Sequence, residues 1–74
     1  MARHFSGCRL RAARRAAGLT AEQVASAVGR TPWTVWKWEC GAAAPGIHTA
    51  DLLADVVGVA LPDLLADDRQ AVSA

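Results

Sequence analysis

Only two residues stand between Gly29 and Pro32, and that spacing constrains this chain more than any other feature. Upstream, residues 21–28 read Ala-Glu-Gln-Val-Ala-Ser-Ala-Val and place Val24, Ala25 and Val28 on one helical face. Thr20 precedes them as an N-cap, and Gln23, three residues on, completes a capping box. Gly29 supplies the left-handed backbone with which helices often end. Downstream, Thr31 is again a cap, and Pro32 takes the first helical position, where its missing N–H is not needed. Two helices joined by so short a link must turn sharply against each other. The small Ala25 lets the second cross the first closely.

The remaining helices follow from similar punctuation. Ser6 caps a first helix over 7–17, with Phe5, Leu10, Ala13 and Ala17 as its inner stripe and Gly18 as its stop. The helix opened by Pro32 runs to Glu39 or Cys40 and ends at Gly41; Val35 and Trp38 face inward, which leaves Trp33, Trp36 and Lys37 outside. Residues 41–46 form a loop. A fourth helix covers 47–57, with Ile47, Ala50, Leu53, Ala54 and Val57 inward and Gly58 at its end. Val59, Leu61, Pro62, Leu64 and Leu65 make a short fifth. The expectation is an all-α domain of five short helices over 6–66, with residues 1–5 an N-terminal arm and 67–74 a flexible C-terminal tail. Composition agrees: Ala fills 17 of 74 positions, Tyr is absent and Phe occurs once, so a β-rich core would lack material. Seventy-four residues allow one domain with a thin core.

A net charge of +1 conceals an asymmetry. Residues 1–41 carry seven basic side chains against Glu22 and Glu39; residues 42–74 carry Arg69 against five aspartates. A basic front half suits a polyanion, although two oppositely charged halves also attract each other within one fold. The two cysteines, Cys8 and Cys40, read as reduced thiols. His4, Cys8, Cys40 and His48 lack the tight paired spacings of a zinc site, so no metal and no cofactor is expected. No apolar run approaches the ~18 residues of a membrane span, and no signal peptide is visible, which points to the cytoplasm and to no membrane partner. Nothing suggests an enzyme: there is no Ser/His/Asp set, no carboxylate pair in an apolar context and no phosphate-cradling glycine loop.

From Leu10 to Leu65 the chain resembles the lambda-repressor-like (Cro-type, xenobiotic-response) helix-turn-helix DNA-binding domains. The resemblance rests on Leu10-Arg11-Ala12-Ala13-Arg14, Gly18-Leu19-Thr20, Val24-Ala25, Val28-Gly29, Thr31 and Val35. It continues through Trp38-Glu39-Cys40-Gly41, Pro45, Leu53-Ala54, Val57-Gly58-Val59 and Leu64-Leu65. It implies a structural ion pair between Arg14 and Glu39, so Arg14 is not a DNA contact. It puts base contacts at Pro32, Trp33 and Lys37, with Trp36 nearby, and phosphate contacts at the start of the second helix (Thr20, Ala21), at Thr31 and Thr34, and in the loop after the third helix. Arg30, in the turn, reads as a further phosphate contact. The sequence departs from the family in having Ala21 where a phosphate-holding Gln is frequent, and an uncharged Ala42-Ala43-Ala44 where Lys or Arg is frequent. Its recognition face lacks the Gln, Asn and Arg side chains that read bases bidentately.

Trp33 and Trp36 leave three readings open: Trp36 completing a thin core, contact with thymine methyls and sugars, or a protein-binding patch. Arg9, Arg11 and Arg15 read more readily as a solvated face than as contacts. The expected function is sequence-specific binding of double-stranded DNA by a transcriptional regulator, with the third helix in the major groove. A homodimer on two half-sites is expected, formed through Leu52, Val59, Leu61 and Leu64. The alternative is a protein–protein interaction module, antitoxin-like or regulator-docking, that uses the Trp33/Trp36 face.

Overall fold

The computed structural model describes residues 3–67. Its elements are β1 (Arg3–Phe5), α1 (Gly7–Ala16), α2 (Ala21–Val28), α3 (Pro32–Glu39), α4 (Ile47–Val57), a 3-10 turn (Leu61–Leu64) and β2 (Leu65–Asp67). The caps act as their residue types dictate. Ser6 accepts from the Arg9 amide. Thr20 accepts from the Gln23 amide at 3.1 Å while the Gln23 side chain accepts from the Thr20 amide at 2.8 Å, a reciprocal box. Thr31 accepts from the Thr34 amide, with Pro32 at the first helical position. Gly29 adopts φ +73°, and the Arg30 amide then reaches back to the Ala25 carbonyl at 2.8 Å. This left-handed residue turns the chain from α2 into α3 within three residues.

Leu10, Val24, Val35, Leu53 and Leu64 are fully buried, and Ala25, Trp38, Ala54 and Val57 join them in one core. α2 packs against both α3 and α4, while α1 lies across α3 and the 3-10 turn. Where α1 meets the end of α3 the approach is very close. A Cβ on Gly7 would press into the Trp38 carbonyl oxygen and lie 2.6 Å from that of Glu39.

The structure corrects several expectations. Among the described residues there are four α-helices, and the expected fifth is a single 3-10 turn. Pro62 is the second residue of that turn, and the chain is already extended at Leu65, where Leu65–Asp67 pair with β1. Arg3–Phe5, expected within a free arm, form β1, antiparallel to β2 with Phe5 opposite Leu65. Asp67, expected to open the tail, is the last residue of β2. The rest of that tail, 68–74, and Met1–Ala2 lie outside the described residues. Ile47, expected inward, is 72% exposed. It is the first residue of α4, and helical side chains lean toward the N-terminus, so it overhangs the loop instead of the core. Ala17 is exposed at the end of α1.

Gly7→Ala is expected to destabilise the fold by about 1–3 kcal/mol, because the obstacle is backbone and cannot rotate away. The check is the midpoint of urea unfolding.

Candidate nucleic-acid interface

α3 divides its side chains by helical spacing. Val35 and Trp38 are buried, whereas Trp33 is 64% and Trp36 52% exposed. Pro32 is exposed and Lys37 half-buried. The two outer indoles stack, with centroids 4.8 Å apart and planes 21° from parallel. Their i, i+3 spacing puts them on one side of the helix, so the rings meet. The sequence shows two tryptophans at this spacing but not their stacking. Trp36 is therefore not absorbed into the core, the first of its three readings.

The inner end of α3 is tied down by a forked ion pair. Arg14 Nε donates to Glu39 Oε2 at 2.6 Å and Nη2 donates to Oε1 at 3.1 Å. Arg14 Nη1 also donates to the Leu19 carbonyl at 2.9 Å, so one side chain joins α1, the link to α2 and the last turn of α3. The Glu39 hydrogen bonds hold the Arg14 guanidinium further above its ordinary range, with partial burial opposing them. A cation with a raised folded-state pKa stabilises the fold below its unfolded value, and the contribution is lost only as pH rises through the folded one. For arginine that loss falls in strongly alkaline solution, so the clamp persists throughout the neutral range.

Beside this clamp is a recess of about 170 Å³, lined by Arg11, Arg14, Ala21, Trp36, Glu39 and Cys40. It brings the start of α2 next to the Trp36 ring. Arg11, read from sequence as solvated, lies on its rim; the signal was its place three residues before Arg14 on the same helix. Thr20, Arg30 and Thr31 are exposed and Thr34 is half-buried. The Thr31 and Thr34 hydroxyls are 3.1 Å apart and bonded to each other. The proposed dimer residues lie elsewhere, on α4 and just after it. Leu52 is 39% exposed, and Val59 and Leu61 are half-buried against the core. Leu64 is fully buried, so it leaves the set; the 3-10 turn rotates it inward onto α1 and α4. His4, Cys8 and Cys40 border one further recess, apart from His48. Among the described residues no three His, Cys, Asp or Glu side chains come together as metal ligands.

A helix-turn-helix domain model matches residues 7–67, spanning α1 through β2. The chain belongs to the helix-turn-helix domain family. This helix-turn-helix chain is similar in structure to the clp gene regulator ClgR from C. glutamicum, with a TM-score of 0.73 at 22% identity over 78% of this chain and 75% of that one. It is also similar to the restriction-modification controller protein C.AhdI from Aeromonas hydrophila. There the TM-score is 0.74 at 29% identity, over 78% of this chain and 84% of that one. Comparison with curated protein sequences gives no significant match. The lambda-repressor-like order of helices expected from Leu10 to Leu65 is the one this helix-turn-helix domain has, with the fifth helix reduced to a turn.

Arg14→Met, which strands a Glu39 carboxylate whose side chain is only 8% exposed, is expected to cost about 3 kcal/mol, the low end of the range for a buried pair broken on one side. The double variant Arg14→Met/Glu39→Leu should recover much of that loss, since no charge is left unpaired. Urea midpoints of the wild type, both single variants and the double variant close the cycle.

Proposed function

We propose that this chain is a transcriptional regulator that binds double-stranded DNA with α3 in the major groove. The observation that carries the reading is the combination found on α3. Its outer face carries two exposed tryptophans while its last turn is clamped by the Arg14–Glu39 fork, so an exposed helix face is held in place from beneath. A helix held this way fits the major groove, which admits one α-helix. Pro32, Trp33, Trp36 and Lys37 then face the bases. Thr20, Ala21, Arg30, Thr31 and Thr34 contact phosphates, Ala21 through its amide in the first turn of α2, where helices leave N–H groups without intrahelical partners. The similarity to C.AhdI, a restriction-modification controller protein, at 29% identity supports the same reading.

Phosphate contacts through side chains are few on this chain. Ala21 offers only its backbone, and Ala42–Ala44 carry no charge. A single domain with so few contacts gains affinity and discrimination by pairing on two half-sites about one helical turn apart. Leu52, with Val59 and Leu61 beyond it, forms the proposed homodimer surface. The place of action is the cytoplasm, alongside DNA. The exposed tryptophan pair also favours a second reading, a docking site for a protein partner, because exposed Trp is a frequent interface anchor.

The test is selection from random duplexes, followed by titration of enriched sequences at two salt concentrations. A palindromic consensus is expected, with an affinity that falls as salt rises but on a shallow slope, because few side chains reach phosphates. Absence of enrichment by the folded protein would favour protein docking. Lys37→Ala should weaken binding by ~1–3 kcal/mol if Lys37 reaches a base. Leu52→Glu should lower the dimer fraction in sedimentation equilibrium and weaken binding to a two-half-site duplex more than to one half-site.

A further inference from the structure

We propose that the stacked Trp33–Trp36 pair reads the 5-methyl group of a pyrimidine in the major groove, so that this domain selects sequence largely by apolar fit. The inference rests on the DNA-binding reading above and names what the outer face of α3 recognises. Three observations lead to it. The rings are stacked at 4.8 Å, yet both remain more than half exposed, so they form one preassembled apolar plate on the helix edge. An indole has one N–H donor and no acceptor, so neither ring can make the bidentate hydrogen bonds that identify guanine or adenine. The apolar group that a base edge offers in the major groove is the C5-methyl of thymine, a group 5-methylcytosine also carries.

Charge favours DNA over a protein as the occupant. The acid of α3, Glu39, is engaged by both nitrogens of the Arg14 fork. Around the plate lie Lys37 on the same helix, Arg30 before it and Arg11 on the rim of the recess that Trp36 lines, against one acid, Glu22 at the start of α2, whose charge acts on Arg14. An apolar plate with three cations and one further acid around it keeps a positive balance, which suits a base edge between two phosphate strands. Lys37, four residues after Trp33, is placed to supply the polar contact the indoles lack.

The test uses the duplex enriched by selection. Each thymine is replaced singly by deoxyuridine, which removes the methyl and leaves every hydrogen-bonding edge intact; in a second series each cytosine is replaced by 5-methylcytosine. The expected result is about fourfold weaker binding for each contacted methyl removed, the effect of exposing one buried CH2-sized group. If instead a cytosine methyl strengthens binding by a similar factor, the source is 5-methylcytosine and the proposal stands with that base. Trp33→Ala and Trp36→Ala, at exposed positions, should remain folded by circular dichroism and should bind methylated and unmethylated duplexes alike. Lys37→Ala should weaken both duplexes and keep their ratio.

Binding that is indifferent to every methyl would overturn the inference and leave the DNA-binding reading in place. Discrimination that survives in both tryptophan variants would overturn it as well, since the methyl would then be read elsewhere. Failure of the folded protein to enrich any duplex would overturn both.

Discussion

Everything on the exposed edge of this domain depends on one arginine. Arg14 spends three nitrogens on two partners: a fork to the Glu39 carboxylate and a single bond to the Leu19 carbonyl. A helix of eight residues has little stability of its own. α3 keeps its place because Val35 and Trp38 are buried beneath it and because its last turn is anchored to α1. The geometry of the fork matters as much as its charge. A lysine could neutralise Glu39 but could not hold two oxygens and a carbonyl from one plane. Without the clamp, the outer residues of α3 would be presented by a helix with one loose end.

Most of the helical frame is legible in the sequence because it is written locally. Thr20 with Gln23, Thr31 with Pro32, and Gly29 are short-range signals whose physics is complete within four residues. The Arg14–Glu39 pairing spans 25 positions and came from the family resemblance, since no periodicity links the two. What the sequence hid was set by distant neighbours. Two three-residue strands are too short to show alternation, and each is extended only because the other is there. Leu64 looks like any surface leucine in a short helix until the 3-10 turn points it inward. Ile47 fits the α4 stripe by spacing, but its place in the first turn leaves nothing for it to cover.

The exposure of Trp33 and Trp36 and the burial of Val35 and Trp38 were legible in the spacing of α3; how the outer side chains are arranged was less so. The residue types at 33, 36 and 37 already showed a recognition face poor in bidentate donors and acceptors. The ring stacking and the shared recess of Arg11, Ala21 and Trp36 depend on how α1, α2 and α3 converge. In the proposed interface the site would be lean: backbone would stand in for a side chain at Ala21, and apolar surface for polar readers on α3. Such a face exchanges the directional selectivity of hydrogen bonds for shape and desolvation, which are less specific individually and less sensitive to salt.

The β1–β2 pair has a kinetic corollary. It joins residues 3–5 to residues 65–67, with the Ser6 amide extending the contact to the Leu64 carbonyl at 2.8 Å. Closing so long a loop is slow compared with forming helices whose contacts are local. The clasp should therefore assemble last during folding and open first during native-state fluctuations. Because it adjoins the turn that seats Leu64, each opening loosens a fully buried core residue. Amide exchange in β1, β2 and the turn would then report one cooperative event, separate from and faster than exchange in α2 and α3.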